Sequence, residues 1–145
     1  MKNLFWLLSI SVLFLILLGS CHNDPPTGTV SVGRFQYRAY DTSGTIVVEG
    51  WLTLTIIDST NVQGEWHFTK VGNPANIGFH YGDGVLRGAF YHAGLSVGLN
   101  PNYIDNNVVL FGTYDGNSYV GTWQWIGFPG VLNHGTFEAV KFQLF

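Results

Sequence analysis

Hydrophobic positions along the chain fall into two regimes. From Leu4 to Leu18 the run LFWLLSISVLFLILL is apolar, with only Ser9 and Ser11 between. From residue 29 onward, apolar and polar residues alternate. Leu52, Leu54 and Ile56 share one parity and Thr53 and Thr55 the other. Val62, Gly64, Trp66 and Phe68 oppose Gln63, Glu65, His67 and Thr69. Tyr119, Gly121, Trp123 and Trp125 oppose Val120, Thr122 and Gln124. A period of two with one apolar face marks half-buried strands. The pattern predicts about eight of them, near 31–40, 46–57, 62–71, 84–92, 94–99, 107–114, 118–126 and 134–143. Short polar turns separate them at Asp41-Thr42-Ser43-Gly44, at Asp58-Ser59-Thr60-Asn61 and at Asp115-Gly116, with a type II signal at Pro129-Gly130. Two connections are longer, Gly72–Asp83 and Asn100–Asn106, and such loops commonly carry specificity.

One pattern narrows the architecture. Gly-x-aromatic occurs as Gly33-Arg34-Phe35, Gly64-Glu65-Trp66, Gly88-Ala89-Phe90, Gly112-Thr113-Tyr114, Gly121-Thr122-Trp123 and Gly135-Thr136-Phe137. Residues two apart share a face. Glycine inside a strand costs backbone entropy, so its recurrence points to crowding or sharp coiling. A small closed barrel needs both: room for a neighbour's ring over the backbone, and strong curvature. The spacing follows no fixed period, which argues against a propeller or solenoid array. The fold expected is all-β, an antiparallel up-and-down barrel of about eight strands.

The N-terminal regime is an address. Lys2 precedes an apolar run of roughly 22 Å as helix, short of the ~30 Å hydrocarbon core. A basic start, a short apolar run and a small-residue exit describe a secretory signal peptide. The exit Leu18-Gly19-Ser20-Cys21 resembles the bacterial lipobox, in which cleavage precedes a Cys that then carries lipid. That resemblance implies a signal peptide over 1–20, lipid attachment at Cys21, a tether over 21–28 containing Pro25 and Pro26, and a barrel domain over 29–145. Several acyl chains, palmitate among them, at about 0.8 kcal/mol per buried CH₂ make a durable anchor. His22 rather than Asp follows Cys21, which by resemblance to envelope sorting rules favours the outer membrane.

Composition removes further classes. The chain of 145 residues is 46% hydrophobic and 16% aromatic but only 10% charged, which is no disordered tail. Six basic residues against nine acidic ones leave no basic footprint for nucleic acid. A single Cys forbids an internal disulfide or a thiolate zinc cluster.

The segment from Val109-Leu110-Phe111-Gly112-Thr113-Tyr114-Asp115-Gly116 through Gly121-Thr122-Trp123-Gln124-Trp125 to Gly135-Thr136-Phe137-Glu138-Ala139 resembles strands of calycin-type barrels, the lipocalin, avidin and fatty-acid-binding group. It also resembles the C-terminal halves of small bacterial lipoproteins with lipocalin-like domains. The resemblance implies a calycin-like barrel that holds a small or lipidic ligand.

Catalytic signatures are absent: there is no Gly-x-Ser-x-Gly and no phosphate-cradling loop. His67, His92 and His134 could meet across strands around a metal, but no ligand spacing supports it, and scattered surface or rim histidines are expected. Glu49, Glu65 and Glu138 could pair for acid-base work; their parity instead makes them solvent-facing, with Arg34 and Arg87 available as cross-strand partners. No catalytic residue, cofactor or metal is assigned.

Four functions remain open. In the first, a lipid-anchored envelope barrel binds a small or lipidic ligand, with Trp66, Phe90, Tyr114, Trp123 and Phe137 as candidate lining. In the second, the interior is filled and the barrel works as a structural or partner-binding module, with aromatics such as Trp51 and Tyr91 as contacts. In the third, the barrel spans the membrane; Lys141 and Gln143 share the parity of Phe145 and would then face lipid. The fourth is an enzyme without a sequence motif. The first is the leading expectation, by a narrow margin over the second.

Overall fold

The computed structural model describes residues 30–142 except Ala93 and Ile104. The signal peptide, Cys21 and the tether lie outside the described residues. Eight strands follow one another: β1 (Val30–Tyr40), β2 (Ile46–Ile56), β3 (Asn61–Lys70), β4 (Gly82–Tyr91), β5 (Gly94–Gly98), β6 (Asn106–Tyr114), β7 (Ser118–Gly127) and β8 (Gly130–Lys141). Each pairs antiparallel with the next, and β8 returns to β1 with Tyr37 opposite Ala139, closing an up-and-down barrel. This is the architecture that the calycin resemblance implied. Seven strands lie within about two residues of their expected limits. The eighth starts four residues earlier than expected, at Gly130, because Phe128 and Pro129 alone span the turn and Gly127 pairs with Gly130.

Alternation sorts the residues as expected. Phe35, Tyr37, Ala39, Leu52, Leu54, Val62, Trp66, Phe68, Leu86, Leu95, Val97, Val108, Leu110, Tyr119, Trp123, Phe137 and Ala139 form one buried cluster inside the barrel. Gln63, Glu65, His67, Thr69, Thr122 and Gln124 face solvent.

The strand glycines answer chiefly to curvature. A Cβ on Gly64 would stand 1.9 Å from Thr53 O, on Gly112 2.0 Å from Val120 O, and on Gly121 2.1 Å from Phe111 O. Neighbouring backbones approach too closely there for any side chain. The alternative reason, a ring lying over the glycine, applies at Gly84 beneath Trp66.

The topology gives the barrel two unlike ends. The chain enters at Val30, beside the short β2–β3, β4–β5 and β6–β7 connections. At this entry end Asp58 accepts hydrogen bonds from Thr60 N and Asn61 N, and Asp115 from Asn117 N and Ser118 N. These side-chain-to-backbone bonds hold each turn locally. The far end gathers the β1–β2, β3–β4, β5–β6 and β7–β8 connections, so both long loops lie together there.

Candidate functional site

All five rings expected to line a pocket point inward. Trp66, Trp123 and Phe137 are buried, while Phe90 and Tyr114 are partly buried against the core. They do not form one wall. Phe90 and Tyr114 sit 6.0 Å apart toward the entry end, with Phe35 6.1 Å from Tyr114. Phe137 lies at mid-barrel, 5.7 Å from Tyr37 and 4.7 Å from Tyr119. Trp66 and Trp123 lie toward the far end. Between these groups, Tyr37 stacks on Phe68 at 4.1 Å and Phe68 packs 5.1 Å from Trp66. Side chains thus fill the axis of the barrel, as an eight-stranded barrel's dimensions permit.

The polar tips of the buried rings bond to the barrel itself. Trp66 Nε1 donates to Leu99 O and Trp123 Nε1 to Tyr40 O, both at 2.8 Å. Tyr119 Oη lies 2.9 Å from Leu110 O and 3.0 Å from Leu95 O. Each indole N–H is thereby used up, and the one hydrogen of the Tyr119 phenol is spent on barrel carbonyls, so none of these three rings has a donor left for a ligand.

The far end is closed by the β3–β4 connection. Its residues Ile77 and His80 are buried, with His80 at 0% exposure. This corrects the expectation of scattered surface or rim histidines, which holds for His67, His92 and His134. The His80 imidazole lies 5.0 Å from Trp123, 5.6 Å from Tyr37 and 5.8 Å from Phe68, ring to ring. Its Nε2 is 2.7 Å from Tyr37 Oη, and its Nδ1 has no partner. Burial pulls the His80 pKa down to about 3 and pushes the Tyr37 phenol well up. Both are neutral at ordinary pH, because a charge there would lose its hydration. A loop histidine carries no periodic signal, so alternation alone could not have found it.

The plug is pinned by β7 and β8. Trp125 covers Gly78, whose φ of +57° and contact with the indole both suit glycine. Asn133 Nδ2 donates to Asn76 O at 2.9 Å. Trp125 Nε1 donates to Asn106 Oδ1 at 2.8 Å, tying the other long loop to the same tryptophan.

Two clefts open beside this plug. One of about 500 Å³ lies between the β1–β2 turn and the plug, lined by Thr42, Thr45, Asn73, Pro74 and Asn133 over Ile77 and Trp123. The second, of about 330 Å³, is lined by Phe79, Asp83, Asn100, Tyr103 and Asn106. Exposed rings surround this end: Phe79 at 51%, Tyr103 at 65% and Phe128 at 91%. No protein-family model, curated protein or solved structure matches the chain.

The remaining candidates are dispersed. Among the described residues no three metal-ligating side chains gather. Glu49 and Glu138 both approach Arg38, at 3.2 and 4.0 Å, and Tyr40 Oη donates to Glu138 at 2.6 Å. The arginine bridging these glutamates is therefore Arg38, rather than Arg34 or Arg87. Arg34 instead lies 3.8 Å over the ring of Trp51, which stacks beside His67 at 6.0 Å on the outer wall. Tyr91 is exposed at the entry end.

Proposed function

We propose that this protein is an envelope lipoprotein whose barrel is a packed scaffold, and that recognition takes place at its far end. The filled interior carries this reading. Rings and the His80 plug stand where a lipidic ligand would lie, while both long loops, two clefts and the exposed rings Phe79, Tyr103 and Phe128 share the end opposite Val30; the entry end has one cleft of about 410 Å³, at Gly33, Arg34, Lys141 and Phe142, and the exposed Tyr91. Anchoring at Cys21 fits this geometry. The chain between Cys21 and Val30 spans at most about 30 Å, so a lipidated Cys21 would hold the entry end near the bilayer and present the far end outward. The outer wall carries Gln63, Glu65, His67, Arg87 and Gln124, a poor surface for contact with hydrocarbon. That weighs against a membrane-spanning barrel.

Two measurements test the reading. Palmitate labelling of the intact protein in a bacterial host should be lost in Cys21→Ala, with the protein leaving the outer-membrane fraction. A native mass spectrum of the mature protein should show no bound small molecule. An added mass that is released on denaturation and lost in Tyr114→Ala would overturn the packed-scaffold reading and restore a small or lipidic ligand inside the barrel.

A further inference from the structure

We propose that the cleft between Phe79 and Tyr103 is a saccharide site, which takes a neutral terminal sugar unit or two of an oligosaccharide. The inference deepens the assignment of recognition to the far end and rests on it.

The lining selects this ligand class. Two aromatic rings flank the cleft and stand largely in solvent, and among the described residues neither stacks on another ring. Phe79 is turned outward because its neighbours Ile77 and His80 are drawn into the barrel mouth. Three planar polar groups, Asp83, Asn100 and Asn106, line the cleft with the two rings. The amide of Asn106 is oriented by the structure: its Oδ1 accepts from Trp125 Nε1, which leaves the Nδ2 hydrogens to donate elsewhere. Among the described residues no hydrogen bond occupies the Asp83 carboxylate or the Asn100 side chain, although Asn100 is held in place by its backbone N–H bonding to Asn107 Oδ1 at 2.9 Å.

Other ligand classes fit poorly. Among the described residues no Lys or Arg lines the cleft, while Asp83 does, so an anionic ligand finds no counter-charge there. Among the described residues no Leu, Ile or Val lines it, and its walls are aromatic and polar rather than aliphatic. A sugar presents what this lining lacks internally. Its C–H face lies against an aromatic ring, and neighbouring hydroxyls bond to planar amides and carboxylates as donor and acceptor together. The volume is at the small end of the ~300–1,000 Å³ typical of ligand clefts, enough for a chain end rather than a long segment.

The test uses the mature lipidated protein in a zwitterionic detergent without a sugar headgroup. Cellotetraose, xylotetraose, chitotetraose and maltotetraose are each titrated to about 20 mM, with binding read by calorimetry and by tryptophan fluorescence, to which Trp125 contributes through Asn106. At least one sugar should bind saturably. Tyr103→Ala should weaken it about tenfold or more by removing an exposed ring. Asn106→Asp should weaken it about tenfold, since it keeps the acceptor for Trp125 but removes both amide donors. Phe128→Ala, an exposed ring of the same end outside the cleft, should leave affinity within about twofold. Absence of binding by all four sugars overturns the proposal, as does binding that survives both cleft variants. If Phe128→Ala weakens binding as much as Tyr103→Ala, a broad surface is at work: recognition at the far end then stands and the saccharide cleft falls.

Discussion

His80 shows at the scale of one residue how burial converts an ordinary side chain into a sensor of acidity. Its pKa falls from 6.5 in the open chain to about 3 in the barrel. Between these values the unfolded chain binds a proton that the folded chain refuses. Stability is therefore full above about pH 6.5 and falls as pH drops toward the folded value, by up to about 1.4 kcal/mol per unit. Urea unfolding between pH 4.5 and 6.5 should show this slope in the wild type and lose most of it in His80→Phe. The window avoids Asp41, Asp58 and Asp115, whose ordinary value is 3.8 and whose carboxyls the turns hold lower still. Glycines divide by cause at the same scale. Gly64→Ala drives a Cβ into Thr53 O and should cost about 2 kcal/mol or more. Gly44→Ala meets nothing within 4 Å and bears only the strain of a φ of +83°, about 1 kcal/mol. Chemical denaturation of the two variants separates the causes.

At the scale of elements, the β3–β4 connection is a loop without strand pairing that closes the far end of the barrel with Ile77 and His80. The bonds that hold it are few: Tyr37 Oη with His80 Nε2 at 2.7 Å, Val71 N to Val47 O, Asn133 to Asn76, the Trp125 contact at Gly78, and a cation–π contact of Lys70 over Tyr81 at 3.8 Å. Its exchange with solvent should therefore be governed by local opening rather than by global unfolding. Removing one hydrogen bond of about 1 kcal/mol shifts such an equilibrium roughly fivefold. Asn133→Ala should thus speed amide exchange at Ile77 and His80 about fivefold, with exchange in β1 and β2 unchanged. Equal acceleration in all strands would mean that the plug opens only when the barrel does. By contrast, the β6–β7 turn is closed on itself by Asp115.

For the whole molecule, closure means that most rings are held from several strands at once. Trp123 belongs to β7, bonds to Tyr40 O on β1 and packs on His80 of the plug. Tyr114 is partly open, near the entry end. Trp123→Ala should cost about 3–5 kcal/mol, as large-to-small core changes do, and Tyr114→Ala about half of that or less. Unfolding in urea measures both. Equal costs would mean that the two ends of the barrel are packed alike.

The eight strands, their facing and the short Asp turns were legible along the chain because each has a local cause. Successive side chains point to opposite faces of a strand, and an aspartate bonds to the backbone two or three residues on. The inward set of Trp66, Phe90, Tyr114, Trp123 and Phe137 followed from the same parity. What parity cannot encode is distance across the closed sheet. Only closure shows that Tyr37 and Phe68 stack between the predicted rings, that Arg38 rather than Arg34 bridges the glutamates, and that the strand glycines answer mainly to neighbouring carbonyls. Only the tertiary structure puts both long loops over one end and drops His80 into it. Filling a barrel depends on contacts between residues tens of positions apart, whereas alternation reports only which way each side chain points.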